Sequence, residues 1–263
     1  MRLNLARTLL GAAVVTLGLT LMLPVFAAER SDDEYKGLLA QDVKALTKAT
    51  DALAKTPGDK KIEKNASGGI KSTALIVATY SNSQITGKDA AADAKAAGVR
   101  DEAIKLFKAG NDKDWKTATE IVKGLSSAKP AAKGEKIDVI KALGTEVTSK
   151  EVMDNLSKPN QHYGTNAEAD IIANSRKAKA TIADTNLIVH RVLVMGELSK
   201  TITKTTNAAE KKEWEEYNEK MVKAAEDLLA VSKKPKVTPV ELAKAYTTLD
   251  GSCKRCHDVF KKE

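Results

Sequence analysis

Apolar residues recur along this chain at intervals of three and four, the rhythm of helices that each bury one face. The pattern predicts helices over 34–55, 67–84, 89–109, 112–127, 136–157, 168–204, 208–233 and 238–262. No run of alternating β-branched residues bounded by tight-turn dipeptides stands out. Breaks fall at "TPGDKK" from Thr56, "SAKPAAKGEK" around Pro130, "SKPNQHYG" near Pro159 and "KKPKVTP" at Pro235, where proline and glycine stop helices. "TSKE", Thr148 to Glu151, has the spacing of a capping box and marks a further helix start. The fold class read from this is all-α.

A weak internal repeat underlies the pattern. "DVKAL" (42–46) returns as "DVIKAL" (138–143), and "KATDALAKTP" (48–57) resembles "KEVMDNLSKP" (150–159). "LIV" at 75–77 recurs at 187–189, and "DWKTATEIVKGLSS", ending at Ser127, lies over the helix that reaches Cys253. The order is preserved, so the chain reads as two four-helix units joined near Pro130–Lys136. The first has Ser127, Pro130 and Ala131 where the second has Cys253, Cys256 and His257.

The chain begins with a different pattern. Arg2 and Arg7 precede an apolar run from Leu9 to Phe26, broken by Pro24 and followed by Ala27 and Ala28. A basic start, an apolar middle and small residues at a cut site describe a signal peptide, 1–27, removed on export. An uncleaved anchor is the competing reading, since the run nearly spans a bilayer. The expected location is periplasmic or otherwise exported. No stable membrane span is expected after cleavage.

Composition alters the picture only slightly. Lys and Arg exceed Asp and Glu by a formal +8, reduced by Arg2 and Arg7 when the leader goes. The mildly basic surface suits an acidic partner. Aromatics are only 4% of residues, and no basic cluster is interleaved with stacking rings, so nucleic-acid binding is not expected.

The chemistry is concentrated in "GSCKRCHDVFKKE", which holds both cysteines of the chain. Leu242, Tyr246, Leu249, Cys253, Cys256 and Phe260 are spaced 4, 3, 4, 3, 4, one helical face, with His257 a turn beyond Cys253. A disulfide, a redox dithiol, half a zinc site and covalent haem are the four readings. A disulfide over two intervening residues would constrain little in the unfolded chain. A thioredoxin-like dithiol belongs after a strand, at a helix N-terminus. Structural zinc takes four ligands, and the remaining histidines, His162 and His190, show no matching spacing. Cys-x-x-Cys-His in an exported chain is the signature of haem c, one thiol for each vinyl group and histidine for the iron. A single covalent haem c is therefore the expected cofactor.

An all-helical exported domain that ends in "SCKRCHDVFKK" resembles the cytochrome c prime family, the class II cytochromes c. Ordinary class I cytochromes carry the motif near their N-terminus. "EWEEYNEKMVKAAEDLLAVSK" likewise resembles the family's third helix. The resemblance covers roughly 134–263 and implies a four-helix bundle that holds haem between its helices, preceded by a haem-less helical unit over 28–133. By that resemblance Cys253 and Cys256 carry the thioethers and His257 is the proximal iron ligand. Family members either leave the other iron face open or fill it with a methionine from an early Arg-Gln-x-x-Met motif. Met153 is the nearest match, although Ser149 and Lys150 replace the Arg-Gln pair. Met195 and His190 are weaker candidates, and Met221 and Trp214 read as core and packing residues.

The function implied is non-enzymatic one-electron transfer to a redox partner protein. A five-coordinate binder of nitric oxide or carbon monoxide is the alternative, and a haem-stabilised interaction module a third. By the same resemblance the chain is expected to form the family's usual dimer or to replace it with an internal pseudo-dimer, the first unit standing in for a second subunit.

Overall fold

In the computed structural model, the described residues are 32–144, 147–148, 153, 156–157, 163–177, 179, 181–202 and 207–260. The expected signal peptide, His162 and most of "TSKE" lie outside them. The described residues form helices without a strand: α1 (Asp32–Lys55), α2 (Lys60–Gln84), α3 (Ala90–Asp112), α4 (Trp115–Gly124), α5 (Val139–Leu143), α6 (Ala167–Arg176), α7 (Ile182–Thr201), α8 (Ala208–Ser232) and α9 (Pro239–Phe260). The all-α expectation holds.

Polar caps set where these helices begin. Asp59 accepts from the backbone N–H groups of Lys61 and Ile62, and Asp89 from those of Ala91 and Ala92. Asn207 does the same for α8. Thr181 and Asp184 form a reciprocal capping box at α7, and Thr238 with Glu241 forms another ahead of Pro239. Each satisfies N–H groups that the first turn leaves without a partner. Proline at the first helical position loses nothing, because its missing N–H is one of those orphans.

Two predicted helices are divided. The expected helix over 168–204 is interrupted between α6 and α7. Asn174 accepts from the Lys179 backbone N–H at 2.7 Å, Lys177 turns to extended backbone, and the Thr181 box restarts the helix. The expected helix over 136–157 stops at Leu143, where Gly144 adopts the left-handed conformation at φ 65° and closes α5. Helical backbone is found again at Met153, Leu156 and Ser157.

The helices pack as two rings. In the first, α1 packs on α2, α2 on α3, α3 on α4, and α4 returns to α1. In the second, α6, α7, α8 and α9 close in the same order. Between the rings, α2 packs against α7. This contact explains why α2 is buried without a break from Ser72 to Ser81, and α7 from Ile188 to Gly196. A helix with neighbours on several sides has no solvent face to keep polar.

That junction holds polar groups. Arg191 of α7 is ion-paired with Asp42 of α1, at 3% and 0% side-chain exposure. The Tyr80 ring stands edge-on to His190, centroids 4.8 Å apart, and Tyr35 stands edge-on to Tyr80 at 5.6 Å. Burial pushes the Asp42 carboxyl above the usual carboxylate range, with Arg191 opposing it. The chain between the rings is tied down as well: Asn82 exchanges two hydrogen bonds with the Ile137 backbone, each 3.0 Å. Val139 to Leu143 pack against α2 and α3.

Candidate functional site

Along α9 the apolar stripe meets two different surroundings. Leu242, Tyr246 and Leu249 are buried, and the Tyr246 hydroxyl shares a 2.9 Å hydrogen bond with Thr185 of α7. Further along the same face, Cys253, Cys256, His257 and Phe260 are only half-buried. The stripe continues, but the opposite side opens into a cavity of about 470 Å³.

Four helices, with Met153, Leu156 and Ser157, enclose this cavity. From α9 come Cys253, Cys256 and His257. A separation of three and four residues in a helix places all of them on one side, and all line the space. Met153, Met195 and Met221 reach it from three other segments. Trp214 and Tyr217 close one side, each edge-on to Phe260 with centroids 5.0 and 6.0 Å apart. The indole N–H of Trp214 donates to the Ser199 carbonyl at 2.8 Å, which holds the ring in place.

Gly196 sets how closely α8 approaches α7. A Cβ there would run into Val222, and Asn218 donates to the Gly196 carbonyl at 2.8 Å. This close approach brings Met221 and Met195 to the same cavity.

Burial pushes the Cys253 thiol up to about 11, partly offset by a hydrogen bond with Ser252 and reinforced by the carboxylates of Asp250 and Glu168. The sulfur is therefore a neutral thiol at ordinary pH, not a thiolate nucleophile of the redox-dithiol type. Lys254 donates to Asp250 at 2.8 Å, and Arg255 is exposed.

The structure thus brings Met153 together with Cys253, Cys256 and His257. It places Met195 there too. His190 does not line the cavity; it faces Tyr80 at the junction of the rings. Met221 and Trp214, read from sequence as core and packing residues, are walls of the site. A signal for them existed. Trp214, Asn218, Met221, Ala225, Leu228 and Ser232 follow the same 4, 3, 4, 3, 4 spacing as the stripe on α9.

These residues fit a haem. The volume falls in the range of cofactor and ligand pockets, roughly 300–1,000 Å³, and the lining is mainly apolar with a few polar groups, as such pockets are. The available donors are thioether sulfur and imidazole, both suited to haem iron. Among the described residues no group of three or more His, Cys, Asp or Glu could hold a bare metal ion. Also among the described residues, no helix is long and apolar enough to cross a membrane.

Compared with known proteins, the chain matches no family model, no curated protein and no solved structure.

Proposed function

We propose that this chain is an exported monohaem c-type cytochrome of the class II kind, which transfers single electrons. One observation carries the reading: both thiols and the histidine of Cys-x-x-Cys-His line the same apolar cavity of about 470 Å³. Cys253 and Cys256 would hold the thioether bonds, each formed as an S–H adds across a vinyl double bond. His257 would ligate the iron. A bound haem supplies a ferrous/ferric couple whose potential depends on axial ligand, burial and nearby charge.

The rest of the site serves that couple. Trp214, Tyr217 and Phe260 exclude water from one side. Met153, Met195 and Met221 surround the cavity with thioethers, and methionine opposite histidine favours electron transfer by raising the potential. Lys254 and Arg255, exposed beside the cavity, suit an acidic redox partner.

The test is expression with the leader and a c-type maturation system, followed by visible spectra of both oxidation states. The expected product keeps its haem through denaturation, is low-spin, and cycles reversibly by one electron. A high-spin ferrous form that takes up carbon monoxide would transfer the assignment to gas binding. Failure to attach haem, where a control cytochrome is loaded, would overturn both.

A further inference from the structure

Arg191 occupies an unusual position. It sits in α7 four residues before Met195, hence on the same side of the helix, and Met195 with Val192 and Ser199 lines the cavity. Arg191 itself lines a second, polar cleft of about 490 Å³ between α6 and α7, together with Asp170 and Asp184. Its Nη2 meets Asp42, but Nε and Nη1 have no hydrogen-bond partner. A guanidinium does not lose its proton in a protein. A full positive charge therefore stands in the interior, borne by a residue one helical turn from Met195 of the cavity wall, and the carboxylate ion-paired with it comes from the other ring.

The surrounding groups do not replace that countercharge. Tyr35 and Tyr80 are held uncharged because burial drives both hydroxyls upward, Tyr35 to about 12. His190 faces Tyr80. Asp184, Lys177 and Lys179, which share the cleft with Arg191, are exposed and Asp170 is half-buried, so water and salt screen their charges. In a low-dielectric interior an unbalanced charge acts over many ångströms.

We propose that Asp42 is the charge-compensating residue of the cavity: by neutralising Arg191, the first ring sets the electrostatic potential inside the second. On the haem reading above, on which this part rests, Asp42 also sets the potential at which the iron accepts an electron. The haem-less ring is then a working part of the site. The signature is one-sided. Losing Asp42's charge leaves a net positive wall, whereas losing Arg191's leaves a fully buried carboxyl that takes up a proton and is neutral, and losing both is neutral as well.

The experiment begins with the unloaded chain at pH 8, in a Trp115→Phe background so that Trp214 reports from the cavity. Two dyes are titrated and read by quenching of Trp214: anionic 1-anilinonaphthalene-8-sulfonate and neutral Nile red. Asp42→Asn is expected to tighten the anionic dye several-fold and Arg191→Met to leave it near the parent value, because the unpaired buried carboxyl takes up a proton. The double variant should return to the parent value, and Nile red should bind alike throughout. The haem-loaded protein should follow the same pattern: at a fixed redox poise, Asp42→Asn raises the reduced-to-oxidised ratio and Arg191→Met leaves it near the parent value.

Shifts of the anionic dye in one direction for both single variants, or equal shifts of Nile red, would overturn the proposal in favour of simple loosening. Should Asp42→Asn fail to fold alone, it is read in sucrose, which favours the compact state, against the double variant under the same condition. A chain that shows the dye pattern but attaches no haem would refute the cytochrome reading while leaving the charge compensation standing.

Discussion

The two rings share an order of packing and differ in how the fourth helix ends. In the first ring α4 is ten residues long, tightens into a 3-10 turn at Leu125–Ser127, and buries Leu125 completely. The chain then folds back across α3. The Ala131 N–H donates to the Ala94 carbonyl at 2.8 Å, and the Lys129 carbonyl lies where a side chain at position 98 would be, a place only glycine leaves free. In the second ring α9 runs 22 residues to Phe260, and its final turns face open space. The sequence pairing of Ser127 with Cys253 falls where the two fourth helices diverge. Similar packing therefore yields a filled core in one ring and a lined cavity in the other. The site arises from leaving a helix face uncovered, not from a change of architecture.

The largest effect expected in testing this contrast comes from the thiols. Replacing Cys253 and Cys256 together by alanine should abolish covalent haem attachment, while the helical signal of the unloaded chain persists. Retained haem after denaturation would remove the site's basis.

The glycines at the two close approaches come next. Alanine gains up to about 1 kcal/mol over glycine in a helix interior. At Gly98, however, a Cβ would meet the backbone of Lys129, which cannot rotate away, so Gly98→Ala should cost about 2–3 kcal/mol as overpacking. At Gly196 the obstacle is the tip of Val222, which can rotate, so Gly196→Ala should cost about 1 kcal/mol. Denaturant midpoints of the two variants provide the check. A larger loss at Gly196 would mean that α7 and α8 are the more rigid pair.

Met153→Ala tests the cavity alone. If Met153 ligates the iron, the spectrum of the loaded protein should change from low to high spin with little change in melting temperature. An unchanged spectrum would pass the role to Met195 or Met221, which line the same space.

The smallest effect is a pH slope. Burial raises the Cys253 thiol to about 11, against about 8.5 for an unhindered cysteine. Its contribution to stability is fully present below the lower value and is lost as pH rises through the upper one. Unfolding of the unloaded chain between pH 8.5 and 11 should therefore show less loss of stability in Cys253→Ala than in the parent. Identical slopes would place the thiol in water.

Much of this molecule was legible from spacing alone. The interval pattern from Leu242 to Phe260 identified the face that α9 presents, and Pro57 and Pro235 mark real breaks. The interruption at Lys177–Thr181 was not read, because the continuous apolar rhythm of 168–204 conceals it. The Thr181-x-x-Asp184 box was its only local mark, and Asp is a less familiar partner there than Glu. Trp214 reads as a packing anchor because "KKEWE" is polar at short range; its edge-on partner, Phe260, lies on another helix.

By itself, then, the sequence determined the helical class, the helix face shared by Cys253, Cys256 and His257, and the chemistry those three residue types offer. These are properties of near neighbours, set by 3.6-residue periodicity and side-chain type. Only the tertiary structure decided that the face opens on a cavity, that Met153, Met195, Met221 and Trp214 surround it, that His190 turns away toward Tyr80, and that Asp42 meets Arg191. Those depend on how helices far apart in the chain approach one another, through close contacts such as Gly196 with Val222 and buried pairs separated by 149 residues. No local pattern encodes such distances, because they follow from packing the whole set of side chains at once.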